Sequence, residues 1–462
     1  MNSSRHPSIR ARREFGKACR KQTPRTSHAD LPARSARPDP IALIEDQNQD
    51  RLDWLVPVRR RRMMASPFAF YRAAARIMAT DLACTPISGL MVQACGDAHL
   101  ANFGLFASPE RRLVFDLNDF DETLQGPWEW DLKRLSASLV IAARHNGLDR
   151  DDGRQVARRA VQSYREAMHE FAAMRATDVW YALIDETGYL SYADRERTVR
   201  RAMKTIAKSK TKQSSQALDR LAVDVDGKYR IKSEPPLLVP MRELGSELSH
   251  LSETLIHESY ETYKRAVSPD CRVLLQNYKP VDFALKVVGV GSVGTRCWIL
   301  LLEGRDRKDP LFLQMKEATH SVLAEHLAPS PYENHGRRVV EGQRLMQTVN
   351  DILLGWTRCP GTGHDYYWRQ LRDWKGAVDV EHLKPVDLKS YGRLCAWSLA
   401  RAHARSGDPV AIAAYLGSSE TLDRALTEFA DRYADQNERD FAAFQEAVRK
   451  GRLKVAPASS AS

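Results

Sequence analysis

The chain has no stretch of about 18 apolar residues, so no membrane-crossing helix is expected. Its most apolar short run, Trp298-Ile299-Leu300-Leu301-Leu302, has the length of a strand. The N-terminus lacks the apolar core of a secretion signal. The seven cysteines (Cys19, Cys84, Cys95, Cys271, Cys297, Cys359, Cys395) are scattered, odd in number and never at C-x-x-C spacing. That argues against a disulfide framework and against a zinc knuckle, and makes a reducing cytoplasm the expected location. No internal repeat is present. With 43% hydrophobic and 28% charged residues, the composition is that of a globular protein, not a disordered or fibrous one. A length of 462 residues suits about three domains or one large domain with insertions.

Charge is unevenly spread. The net charge is +11, from 70 Lys/Arg against 59 Asp/Glu. Residues 1–40 hold ten Lys/Arg against three acids and carry +7, which leaves +4 for the other 422 residues. This segment is rich in Arg, Ser and Pro and shows no apolar period. Residues 1–50 are therefore expected to form a disordered basic arm, open to weak contact with an anionic partner such as nucleic acid or lipid. The remainder divides into a segment at 51–150 that carries the richest chemistry, and a largely helical insertion or subdomain at 151–279. A β-rich part follows at 280–378, then a helical C-terminal part at 379–455 and a small polar tail at 456–462.

Local signals place the elements. Ser66 and Pro67 predict a helix over 66–82, with Ser66 as N-cap and Pro67 at its first position. Short strands are predicted at Gly89–Ala94 and Arg112–Leu117, and a helix from Trp130 to about Asn146. Asp224-Val225-Asp226-Gly227 reads as a hairpin turn; no glutamate stands where a calcium loop needs one. Val281–Lys316 has the spacing of an antiparallel meander, and about Val386 to Arg449 is helical.

Two segments stand out chemically: Gly96-Asp97-Ala98-His99-Leu100-Ala101-Asn102 and Phe115-Asp116-Leu117-Asn118-Asp119-Phe120-Asp121-Glu122. Carboxylates and amides at apolar strand ends carry a desolvation cost of several kcal/mol each unless a cation or donor compensates it. Oxygen ligands without thiolates or a histidine pair suit Mg²⁺ rather than Zn²⁺. Asn102 lies five residues and Asp116 nineteen residues after Asp97. This pattern resembles the catalytic loop and metal-binding Asp of the protein-kinase-like superfamily, especially its aminoglycoside-phosphotransferase and choline-kinase branch. The resemblance implies Asp97 as the base orienting an acceptor hydroxyl, with His99 beside it in the loop. It implies Asn102 and Asp116 as Mg²⁺ ligands. Asp119 is counted with that metal set, although at least two of Asp119, Asp121 and Glu122 are expected to be solvated or structural. Asp131, in Trp128-Glu129-Trp130-Asp131-Leu132, resembles the Asp that braces this loop, and is also a plausible N-cap.

A third segment, Val288-Gly289-Val290-Gly291-Ser292-Val293-Gly294, fits G-x-G-x-x-G. A dinucleotide fold needs a helix next, whereas a strand is predicted here. Strand, glycine-rich turn, strand is the arrangement of a kinase phosphate-covering loop, which makes Gly289, Gly291, Ser292 and Gly294 nucleotide-binding candidates. That reading requires a lysine on the following strand. Lys316 stands there, twenty-two residues after Gly294. A helical carboxylate should pair with it; Glu341 is the first choice and Glu325 the second.

The order departs from that of a kinase, because Asp97 precedes Gly289 by nearly two hundred residues. The expected fold is thus α+β, kinase-like and two-lobed, apparently circularly permuted, with a helical insertion and a basic arm. A loop at His403 to Asp408 would restore the usual order, but Ala413 stands where its Asn should be, so these residues read as a helix end near the site. Taken whole, residues 50–450 resemble an uncharacterised bacterial family, domain of unknown function 2252. The resemblance rests on Ser66–Arg72, Gly96–Gly104, Phe115–Asp121, Lys286–Gly294, Glu341–Arg344 and Ala402–Asp408. The expected activity is transfer of the ATP γ-phosphate, with Mg²⁺, to a hydroxyl of an unknown, small-molecule acceptor. The rival readings are a nucleotide-binding pseudoenzyme or regulatory module, and a metal-dependent phosphoesterase. The latter usually needs Gly-Asn-His, for which the chain offers only Glu333-Asn334-His335.

Overall fold

Where the chain pairs its strands decides where its chemistry ends up. The structure, a computed structural model, describes residues 7–33, 37–193, 195–212, 214–244, 253–371 and 374–457. Residues 1–6 and 34–36 of the expected arm, and 458–462 of the expected tail, lie outside it. The protein is α+β, with 54% helix and 15% strand. Among the described residues no helix is long and apolar enough to cross a membrane.

Met91–Ala94 pairs antiparallel with Leu124–Pro127, and Phe103–Ala107 with Leu113–Leu117. Ala94 faces Leu124 and Phe103 faces Leu117. The two segments between these ladders, 95–102 and 118–123, are therefore forced together. They are the two segments that carry the carboxylates. Of these four strands, the sequence reading had anticipated only Met91–Ala94 and Leu113–Leu117.

The larger sheet has six strands, in the order Gly355–Arg358, Asp365–Gln370, Pro310–Glu317, Cys297–Glu303, Lys279–Lys286, Leu238–Pro240. All its pairings are antiparallel, and the expected meander forms its centre. The glycine-rich turn joins two neighbouring strands with no helix after it. Register sets Lys316 opposite Cys297 on one side and Tyr367 on the other. Lys316 thus lies beside the end of the turn. Buried Phe283, Leu285, Trp298, Leu300, Leu313 and Trp368 fill one face of the sheet.

Most of the rest is helical, apart from the hairpin Ala222–Val225/Lys228–Ile231 and the two-residue strand Ile184–Asp185 at the edge of Leu113–Leu117. Trp128–His145, Arg150–Ala173, Pro385–Ser406 and Thr421–Arg449 share the largest hydrophobic core, which also takes in Val92, Leu105 and Phe115 of the small sheets. The predicted helix at 66–82 is two helices, Pro67–Arg72 and Ala75–Ala83, both starting after a turn. Ser66 caps the first as expected, accepting from Ala69 N at 3.0 Å. The Asp224–Gly227 hairpin turn forms, with Asp226 and Gly227 both at positive φ.

Over residues 7–33 and 37–50 the expected disordered arm is instead folded. Ile9–Gln22 is a helix capped by Ser8, and Pro40–Asn48 is a second helix capped by Asp39. Gly16 packs so closely on Ala411 that a Cβ would lie 2.1 Å from its carbonyl oxygen. The arginines that made the segment look solvated meet distant acids instead. Arg12 forks onto Asp408, and Arg37 bridges the buried Asp81 and Asp440. Those bonds engage two of the charges that a weak anionic partner was expected to meet.

Candidate functional site

The turn after Met91–Ala94 needs glycine. Gly96 has φ +82°, and a Cβ there would lie 2.4 Å from the Glu122 carbonyl oxygen. The turn is held from behind by Asp131, whose carboxylate accepts from Cys95 N at 2.6 Å and Gly96 N at 2.9 Å. Asp131 lies in the first turn of Trp128–His145, where the N-cap is Pro127, so it is a brace and not the cap. His403 Nε2 lies 3.2 Å from the Asp131 carboxylate, and His403 Nδ1 is 2.8 Å from the Tyr164 hydroxyl. The His403 helix end thus supports the loop without entering the site.

Within the loop, Asp97 Oδ1 accepts from Arg134 Nε at 2.8 Å. Burial nonetheless lifts the Asp97 carboxyl to about 6, with Arg134 opposing. His99 Nδ1 accepts from Ala101 N at 3.2 Å, which leaves its proton on Nε2, 3.7 Å from the other Asp97 oxygen. Burial and the charges of Arg134 and Arg72 keep His99 neutral. Asn102 Nδ2 donates to the Asp97 carbonyl at 2.8 Å, so Oδ1 is the atom not engaged by that bond.

Across from the loop, Lys316 Nζ is ion-paired with Asp121 and lies 3.9 Å from Asp119. Tyr367 donates to Asp121 at 2.8 Å, and Ser292 of the glycine turn reaches the same carboxylate at 3.4 Å. Burial opposes the charge on Lys316, but Asp119 and Asp121 outweigh it and raise its pKa. Burial likewise works against Asp121, and Lys316 overrides it to hold that carboxyl below its ordinary range. Asp119 is pushed up, by burial first and by the neighbouring Asp121 next. Burial lifts Glu122 to about 7; it accepts from Val322 N at 2.8 Å.

One cleft of about 370 Å³ is lined by Asp97, His99, Asn102, Asp119, Asp121 and Glu122 together with Gly289, Gly291 and Ser292. Four expected members do not line it: Lys316 meets the cleft only through Asp121; Gly294, at φ +94°, lies against Arg51, where a Cβ would come within 2.9 Å of the arginine's own Cβ; and Asp116 and Glu341 stand elsewhere. Asp116 is buried in a forked ion pair with Arg401 at 2.5 and 2.6 Å and does not line the cleft. It sits on a strand, three residues short of the turn that carries Asp119. Glu341 does not pair with Lys316; its ion pair is with Arg344 on its own helix, 3.5 Å away. Asp121 is the lysine's partner. Glu325, the alternative, pairs with Arg76.

Sequence reasoning passed over Arg134 and underrated Asp121. Arg134 carries no local motif signal. Asp121 was one acid among several, and only the register of the large sheet selects it. As for a divalent ion, among the described residues no three His, Cys, Asp or Glu side chains converge on a point. Mg²⁺ beside a nucleotide needs only one or two protein oxygens, the rest coming from phosphate and water. Asp119, destabilised as a charge by Asp121, and Asn102 fit that smaller demand.

Known proteins add one finding. No curated protein and no solved structure matches the chain. A family model matches residues 51–447, including both the loop and the glycine turn, and so the chain belongs to DUF2252, described as an uncharacterized protein conserved in bacteria.

Proposed function

We propose that this protein is an ATP-dependent phosphotransferase with a kinase-like, two-lobed and circularly permuted arrangement, acting on a small-molecule hydroxyl. The observation that carries the reading is convergence. A glycine turn between antiparallel strands meets an Asp97–Asn102 loop nearly two hundred residues away in one cleft, and the lysine of the next strand pairs with that cleft's Asp121. The six-stranded sheet covers the nucleotide. Lys316 holds its phosphates after exchanging Asp121 for them, and the backbone of 289–294 closes over them. Asn102 and Asp119 hold Mg²⁺, which when bound neutralises charge on the phosphoryl oxygens. Asp97 orients the acceptor hydroxyl and takes its proton. Arg134 fixes the carboxylate so that one oxygen remains toward the acceptor.

One observation favours the regulatory alternative. Asp97 and Lys316 are both engaged in ion pairs, as in a module that binds nucleotide without turning it over. The phosphoesterase reading loses its motif, since Asn334 caps the helix His335–Met346 and donates to Asp365 at 2.6 Å. The deciding experiment is a thermal-shift titration with ATP and Mg²⁺, followed by single-turnover transfer of labelled γ-phosphate. Stabilisation that needs both ATP and Mg²⁺, with turnover, supports the enzyme. Stabilisation without turnover to any acceptor or to water supports the regulator. No stabilisation sinks both.

A further inference from the structure

The cations around the cleft are matched but for one. Asp97 has Arg134, Asp121 has Lys316, and Glu317 has Arg296 at 3.0 Å. Arg76 has Asp46 at 2.5 Å and Glu325 at 3.0 Å, and Arg51 donates to the Val293 carbonyl. Arg72 is left over. It lines the cleft with Asp97 and His99, at the end of the helix Pro67–Arg72 and under the glycine turn. Its own carbonyl lies 3.3 Å from where a Gly291 Cβ would be. Among the described residues no hydrogen bond or ion pair engages its guanidinium, and its Nε is buried without a partner. Arg51, Arg59, Arg296, Arg307 and Arg338 also have a buried, unpaired Nε, but each donates through its terminal nitrogens. Arg72 does not.

A half-buried guanidinium with no partner is costly to hold in the unliganded protein, and five planar donors suit a carboxylate or phosphate. Burial pushes the Arg72 pKa down, with only the more distant charges of Glu381 and Asp97 opposing. Its place beside Asp97 puts it on the acceptor's side of the reaction; Lys316 already serves the nucleotide.

We infer that the acceptor carries an anionic group, a carboxylate or a phosphate, near its reacting hydroxyl, and that Arg72 binds that group. The assignment rests on the phosphotransferase reading for the word acceptor, but the anion site itself does not. A neutral sugar or alcohol would leave Arg72 unmatched. A cationic aminoglycoside would be repelled by it.

The probes are glycerate, glycerol 3-phosphate and glycerol, which share a carbon skeleton and differ in charge. Calorimetric titration into wild type, Arg72→Gln and Arg72→Lys, each checked for fold by circular dichroism, is run with and without a non-hydrolysable ATP analogue. At least one anion is expected to bind and glycerol not. Arg72→Gln should weaken that binding roughly tenfold or more, the scale of one charge-assisted contact, while Arg72→Lys retains part of it. The ratio of carboxylate to phosphate binding identifies which group the site takes. Anion binding that survives Arg72→Gln, binding of glycerol alone, no binding of either anion, or an equal loss of ATP-analogue affinity in Arg72→Gln would overturn the inference. Transfer of γ-phosphate to neutral acceptors alone would keep the phosphotransferase and refute this site. Arg72-dependent anion binding without any transfer would do the reverse.

Discussion

Asp97, half-buried, and Asp116, buried, each have an arginine partner, yet opposite consequences follow from removing their charge. Asp97 lines the cleft and its carboxyl is lifted to about 6. As a base it must be ionised, so transfer should rise with pH through about 6 and then level off. Asp97→Asn should abolish that limb and lower turnover by roughly 10²–10⁴-fold, with ATP binding nearly intact. A pH–rate profile checks this, and an unchanged ascending limb would assign the base elsewhere. The stability sign is also fixed. A carboxyl raised in the folded state holds a proton that the unfolded chain releases. Its contribution is therefore present below the ordinary carboxylate range and lost as pH rises through about 6. Asp116 instead sits with Arg401, whose side chain is 1% exposed. Asp116→Ala leaves that guanidinium unpaired and should cost about 3–5 kcal/mol, read as a fall in Tm. Asp119→Asn should leave Tm near wild type and remove the Mg²⁺-dependent part of the ATP shift. If Asp116→Ala were as stable as wild type and only Mg²⁺ dependence changed, the metal assignment would return to Asp116.

The strand ends and glycines set a second scale of effect. Gly96 and Gly289 both have positive φ, but their surroundings differ. A Cβ at Gly96 meets the Glu122 backbone at 2.4 Å, whereas one at Gly289 meets nothing within 4 Å. Gly289→Ala should therefore cost only the backbone strain, about 1–2 kcal/mol. Gly96→Ala should cost more and displace the Asp97 loop from Glu122, with loss of turnover. Chemical denaturation of the two variants checks the ranking, and equal costs would mean that the Gly96–Glu122 approach is not fixed. At this scale the sequence was informative where patterns are local. The strand–turn–strand at 279–303, the Ser66 cap and the C-terminal helices follow from apolar period and capping residues. Phe103–Ala107 and Leu124–Pro127 were missed because they are short, and their partners are decided by pairing rather than by period. The same reason hid the partner of Lys316. Asp121 reaches it through the sheet register and Tyr367, a relation between residues 195 positions apart. Glu341 was chosen from analogy of position on a helix, and that helix turns its Gly342 to Thr123 instead.

For the molecule as a whole, residues 7–33 and 37–50 are part of the folded body. Composition could not show this, because their helices are anchored as much by arginines as by apolar faces. The acids that receive them lie far along the chain: Asp408 for Arg12, Asp81 and Asp440 for Arg37. Apolar periodicity is blind to such pairs. Arg37 is the more telling, since its own side chain and both carboxylates are less than a tenth exposed. Asp81 also accepts from Tyr433, so the cluster ties the start of the chain to the helices Ala75–Ala83 and Thr421–Arg449. Removing one cation from two buried carboxylates leaves both uncompensated, and such losses run to about 3–5 kcal/mol. Arg37→Ala should therefore lower Tm by several degrees in the full chain. Arg10→Ala, whose exposed pair with Glu14 is local to one helix, should change it by less than one degree. A truncation starting at residue 38 should resemble Arg37→Ala or be worse, because it also uncovers Ala411 and Tyr415. A solvated tail would make all three variants indistinguishable from wild type, and that outcome would return the segment to the disordered reading.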